Sequence, residues 1–261
     1  MKNMRLRIET LGLYRLKSLL QYMRIYAILA ILCIVWSCEL TSPKYESEPN
    51  VVAILNTKFK RQKVFVGRSY EIAEVPDTSG WCGVSNAQVT ISHDTIAVTF
   101  HELADTAGVY VSESLQVKPN ETYYLEVIYP DDKKVTGMTT VPGAFRIITP
   151  ANGDTVKLEQ ELKWEESLGA SGYFIYYRAD SLYNPNFPDF FWSREGFKYL
   201  KLATSVYFSS LCDGYGKLTV QLWACDSNYY DYFMRRYNLT GGLGVFGSFT
   251  VTDSITVFLR E

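Results

Sequence analysis

Histidine is nearly absent: the 261 residues hold two, His93 and His101. That scarcity excludes multi-histidine metal chemistry and leaves few candidates for an imidazole general base. Charge of one sign is not in excess either. With 26 Lys and Arg against 28 Asp and Glu, no nucleic-acid partner is expected. No apolar run reaches the roughly 18–20 residues that a transmembrane helix needs. A G-x-S-x-G elbow, a Walker loop and an EF-hand loop are also lacking. No catalytic residue, cofactor or metal is therefore expected. What the chain does have is 47% hydrophobic residues, 20 Tyr and 14 Phe among them. That is the composition of a folded chain.

The basic charge is concentrated at the start. Lys2, Arg5, Arg7, Arg15, Lys17 and Arg24 precede an apolar run from Ile25 to Trp36, which Ser37-Cys38 follows. Residues 38–261 are left with a net charge of −7. A basic n-region, a short h-region and a small residue at the break describe a secretory signal over 1–37. A compact version would begin at Met23, with 1–22 as an over-extended start. Val35-Trp36-Ser37-Cys38 resembles a bacterial lipobox, which implies an acylated Cys38 at the new N-terminus and a membrane reached through lipid. Trp36 is bulkier than such motifs usually carry, and Leu32 makes Cys33 a poorer candidate. An ordinary signal peptide with incidental cysteines is the alternative. Residues 38–50, polar and broken by Pro43 and Pro49, read as a flexible tether.

Beyond the tether, short β-branched and aromatic runs alternate with turn residues, and the fold class expected is all-β. Val51–Leu55, Lys63–Val66, Ala87–Ile91, Thr95–Phe100, Val109–Val117, Thr122–Tyr129 and Val135–Val141 suit the strands of one sandwich. Pro130 to Lys134 is turn chemistry for a hairpin. A boundary at Val141-Pro-Gly-Ala144 divides this unit, 51–142, from a second, 145–261. Strands of the second are expected at Leu162–Trp164, Gly169–Tyr177, Ser205–Phe208, Lys217–Ala224, Ser248–Val251 and Ser254–Leu259, with Trp164 as core anchor. Two insertions depart from a plain sandwich. In 180–198 two prolines argue against a regular element, and Tyr183, Phe187, Phe190, Phe191 and Trp192 form a candidate interface or ligand platform. Over 227–237, Tyr230, Phe233, Met234 and Tyr237 share one face of a predicted helix, with Asp226 or Ser227 as N-cap, docked on the second sandwich.

Ser85 to Ile91, Ala107-Gly-Val-Tyr110 and Val117 to Val127 resemble transthyretin-like, carboxypeptidase regulatory-like sandwiches. Ile148 to Val156 with Leu162-Lys-Trp164 resembles a fibronectin type III or immunoglobulin-like opening. The order of lipobox, these two units, the Tyr-Tyr-Asp-Tyr-Phe helix and Gly241-Gly-Leu-Gly-Val-Phe-Gly247 resembles Bacteroidota lipoproteins of the domain of unknown function 4249. The resemblance covers roughly 38–259. It implies an outer-membrane lipoprotein encoded near TonB-dependent receptors, with no established activity.

Other motifs weaken on inspection. Gly242-Leu-Gly-Val-Phe-Gly247 matches a dinucleotide fingerprint, but a strand follows where a helix must receive the phosphates. His101-Glu102 opens like a zincin, yet Asp105 stands where the second His belongs. A three-ligand zinc site on His93 would need carboxylates from unrelated segments. Cys82, Cys212 and Cys225 read mainly as small buried hydrophobes, since a strand between Cys212 and Cys225 holds them too far apart to bridge. Asp-Ser/Thr-apolar triplets at Asp94, Asp105, Asp154, Asp180 and Asp253 resemble the Bacteroidota O-glycosylation sequon; turns leading into strands are the equal alternative. The function expected is a non-catalytic lipoprotein accessory to a TonB-dependent transporter or another envelope complex. Glycan binding on the aromatic platform is the alternative, and an envelope hydrolase ranks last.

Overall fold

A computed structural model describes residues 45–70, 82–184, 186–234 and 236–261, the side chains of 187–190 excepted. The signal, Cys38 and most of the tether lie outside these residues. Ser47–Glu261 form one compact unit. Its first strands are β1 (Pro49–Asn56), β2 (Gln62–Arg68), β3 (Gln88–His93), β4 (Ile96–Glu102), β5 (Val109–Ser112), β6 (Thr122–Ile128) and β7 (Lys134–Thr140). There follow β8 (Ile147–Thr149), β9 (Thr155–Val156), β10 (Glu161–Trp164), β11 (Gly172–Asn184), β12 (Phe187–Leu200) and β13 (Ser205–Tyr207). Then come β14 (Tyr215–Cys225), helix α1 (Ser227–Phe233), β15 (Leu243–Val251) and β16 (Ile255–Leu259). The chain is all-β with a single α-helix among the described residues.

Period-two alternation sets most of these strands. In β2, Val64 and Val66 are buried while Lys63 and Phe65 face outward. Hydrogen-bonded neighbours run in the order β12-β11-β14-β15-β1-β2-β5-β4-β3-β6-β7, and β13-β10-β8 make a second sheet. One core gathers Val51, Leu55, Val64, Ile91, Tyr123, Leu125 and Val135. The other gathers Trp164, Tyr173, Ile175, Leu182, Phe208, Leu218 and Leu222. Trp164 is 2% exposed, as a core anchor should be.

β15 crosses the boundary expected at 142–145. It pairs in parallel with β1, from Asn50↔Leu243 to Asn56↔Phe249, and it lends Phe246 to the first core. The glycine-rich approach makes this pairing sterically feasible. Gly244 has φ +112, and a Cβ there would stand 1.9 Å from the Val51 carbonyl oxygen. The G-x-G-x-x-G match thus opens a strand, and its glycines serve close backbone approach.

Beyond Phe246, several buried groups between β15 and β7 are polar. Thr139 Oγ1 donates to Asp226 Oδ2 at 2.5 Å and lies 2.9 Å from Ser248 Oγ. Thr250 Oγ1 donates to the Pro142 carbonyl. Asp226 also caps α1, accepting from the Tyr229 N–H at 2.8 Å. The helix is shorter than expected, and the face read for it holds in part: Tyr230 and Phe233 meet Tyr199 at 6.1 Å each. Phe233, Met234 and Tyr237 are at least 57% exposed, while Tyr229 and Tyr230 pack against Cys225, Phe249 and Val251.

The 180–198 insertion is not an irregular loop. β11 and β12 form a long antiparallel hairpin, with Tyr173↔Leu200 at one end and Asn184↔Phe187 at the other. Register shifts lie between Ala179 and Leu182 and between Tyr183 and Asn184. Pro188 is tolerated because β12 is an edge strand, partnered by β11 alone among the described residues. Cys82, Cys212 and Cys225 are free thiols; burial pushes Cys212 up to about 11 and Cys225 up to about 12. Of the Asp triplets, Asp94, Asp105, Asp154 and Asp253 lie between strands, whereas Asp180 sits inside β11.

Candidate binding face

Alternation along the hairpin builds the candidate site. Tyr173, Ile175, Tyr177 and Ala179 of β11 point into the core, so Phe174, Tyr176 and Arg178 take the opposite face. Register brings Tyr199 beside Phe174, Phe197 beside Tyr176 and Glu195 beside Arg178. On the other side it brings Trp223 beside Phe174 and Gln221 beside Tyr176. The rings meet across strands: Tyr176–Phe197 at 5.2 Å, Phe197–Trp223 at 5.8 Å and Phe174–Tyr199 at 5.0 Å between centroids. Phe59 extends the row, 6.1 Å from Trp223. Beneath α1, Phe249 links Trp223 to Phe174 at 5.6 and 5.8 Å.

This aromatic face is covered at one end and open at the other. Tyr229 lies 4.5 Å from Phe249 and shields it. Phe197 is 58% exposed and Phe59 53%. Polar groups border the open end. Tyr176 donates to Glu195 Oε1 at 2.7 Å, a bond that raises the phenol's pKa above its ordinary value. Trp223 Nε1 donates to Gln221 Oε1 at 3.0 Å, and Lys58 pairs with Asp253 at 2.6 Å. Rings beside amide, carboxylate and ammonium groups can stack on and hydrogen-bond a partner; no nucleophile–base pair stands among them.

The residues expected to form the platform separate. Trp192 turns inward and packs against the second core. Phe191 is exposed and lies 6.4 Å from Tyr183, which in turn lies 6.0 Å from Tyr215. Phe187 and Phe190 are on β12, their side chains outside those described. Cys38 lies outside the described residues altogether. The sequence reading missed Tyr176, Phe197, Trp223 and Phe59. The aromatic doublets Tyr173-Phe174 and Tyr176-Tyr177 held the signal, since in a strand they place a ring on both faces.

Elsewhere, a groove of about 690 Å³ runs beside Tyr124, Glu126, Met138, Asn228 and Asn238. Its amides are engaged: Asn228 donates to the Met138 and Phe246 carbonyls, and Asn238 bonds both polar groups of the Phe246 backbone. Glu102 accepts from the Asn86 and Gly108 N–H groups, which gives the His101-Glu102 pair a structural role. His93, Asp94 and Glu121 are the group of side chains able to hold a metal among the described residues.

A sequence model of the family described as Domain of unknown function (DUF4249) matches residues 42–255. No curated protein matches the chain. Among solved structures, the chicken CNTN1 FN1–FN3 domains are 11% identical, with 82% of this chain and 67% of that one covered at a TM-score of 0.29. Dpr11 IG1 bound to DIP-gamma IG+IG2 is 9% identical, with 83% and 98% covered at a TM-score of 0.23. Likeness this loose says nothing of function.

Proposed function

Since the chain belongs to the DUF4249 family, whose function is not defined, we propose from its own residues that it is a non-catalytic envelope lipoprotein and docking subunit. In this reading acyl chains on Cys38 hold it at the outer membrane. The tether reaches outward, and the face of Phe59, Tyr176, Phe197 and Trp223 covers a protein partner, a TonB-dependent transporter or another envelope complex. The observation that carries the reading is the contiguous row of rings with Phe197 more than half exposed. Such a surface costs free energy in water unless something covers it, and aromatic rings concentrate at protein interfaces. Glycan binding on the same face is the second reading, favoured by Glu195 and Gln221 beside the rings.

Two experiments test this. Radiolabelled palmitate should enter the wild-type protein and not Cys38→Ala; labelling that survives the substitution defeats the anchor. Envelope complexes captured on the wild-type protein should be lost on replacing Phe59 and Phe197 with Ser. Retained complexes would defeat the docking face, and selective binding on a glycan array would favour the second reading.

A further inference from the structure

We propose that His93, Asp94 and Glu121 form a binding site for a divalent first-row transition ion of the zinc type, separate from the aromatic face. His93 closes β3, Asp94 begins the turn to β4, and Glu121 immediately precedes β6. The β3–β6 register, with Ser92 opposite Tyr124, lays the start of β6 beside the end of β3. This is how Glu121, distant in sequence, reaches His93 and its chain neighbour Asp94.

The hydrogen bonding of the ring defines which nitrogen is available. His93 Nδ1 lies 3.0 Å from the Thr122 carbonyl oxygen, which only accepts, so Nδ1 carries the proton and donates it. In a neutral ring Nε2 is then an acceptor, and it faces two further acceptors. Asp94 Oδ2 stands 3.2 Å away and Glu121 Oε2 3.5 Å. A proton on Nε2 could be aimed at one of these oxygens; a cation between the three atoms serves both. The two nitrogen–oxygen spacings fit that cation. Bonds of about 2.0–2.1 Å in a tetrahedron place neighbouring ligand atoms about 3.3–3.4 Å apart, between the two observed distances. All three ligand atoms lie within 4.8 Å of one another. Two carboxylates balance the charge of a divalent ion.

The surroundings are those of a ligating histidine. A backbone carbonyl on Nδ1 orients the ring, the usual outer contact of such ligands. Tyr123 packs on it at 4.9 Å between centroids, and the His93 side chain is 19% exposed. Asp94, 78% exposed, leaves the fourth position to solvent or an external ligand.

Equilibrium dialysis of the purified full chain against zinc chloride, with reductant present, tests the site. Wild type and His101→Gln should bind one zinc. His93→Gln and Glu121→Gln should each bind at least about tenfold more weakly. Zinc should raise the melting temperature of the wild type and not of Glu121→Gln, a nearly isosteric change at a half-buried side chain. No zinc uptake by the wild type overturns the proposal. Uptake unchanged in both His93→Gln and Glu121→Gln overturns it equally.

Discussion

The two faces of the sheet formed by β11 and β14 both carry large apolar side chains, which meet different fates. Inward, Ile175, Leu218, Val220 and Leu222 reach zero exposure against Trp164 and Phe208. Outward, Phe174, Tyr176 and Trp223 stay partly exposed, and α1 covers one end of their face. Hydrophobicity alone therefore does not define a core. The inward face has a second sheet to bury it; the outward face has a seven-residue helix and then water. The contrast separates side chains that hold the fold from side chains available to a partner.

Substitutions should divide along that line. The largest effect belongs to the inner face. Trp164→Ala should cost about 3–5 kcal/mol in denaturant unfolding, a large part of a typical stability of about 5–15 kcal/mol. Trp164→Phe should cost much less. It keeps most of the ring volume and deletes a buried indole N–H that finds no hydrogen-bond partner among the described residues. Next comes the strand that joins the two cores: Gly244→Ala should cost at least about 1–3 kcal/mol, since φ +112 strains any side chain. A variant as stable as wild type would mean that β15 does not approach β1 so closely.

The polar seam should respond less, and with a signature in pH. Asp226→Ala removes the helix cap and should cost about 1–2 kcal/mol. Desolvation holds the Asp226 carboxyl above its ordinary pKa, although bonds from Thr139 and the Tyr229 N–H oppose the shift. A raised folded-state value means that the native protein retains a proton the unfolded chain has released. Its contribution is full below the ordinary carboxylate value and is lost as pH rises through the folded value. Asp226→Asn keeps the cap without the charge. Its melting temperature relative to wild type should therefore climb as pH rises through that range; a constant difference would mean the carboxyl is not desolvated.

Much of this architecture was legible in the sequence, because period-two alternation and turn residues act locally. The seven strands of 51–141, the hairpin near Pro130 and Trp164 as anchor were all readable that way. What escaped depends on distant partners. The parallel pairing of β15 with β1 has no local signal beyond glycines whose reason is the Val51 carbonyl. Pro188 argued against a strand, yet β12 lies at an edge, where a missing N–H matters little. Of the helix face read from Tyr230, Phe233, Met234 and Tyr237, the first two lie on the helix and meet Tyr199 at 6.1 Å each, while the other two fall beyond its end at Phe233. As for the platform, the rings named from the sequence fall on this hairpin but do not gather on one face. Trp192 follows the register into the core, whereas Phe197, not singled out, lies in the open row with Trp223.

The smallest effect on stability carries the greatest weight for function. Phe59→Ser combined with Phe197→Ser should change unfolding free energy by only about 0.5 kcal/mol per site, as exposed substitutions do. The most direct measurement takes this double variant through a thermal melt and an envelope pull-down side by side. A melting temperature within about two degrees of wild type together with loss of the captured complex is the outcome expected of a docking face. A collapse of the melting temperature, or a complex retained in full, would contradict it.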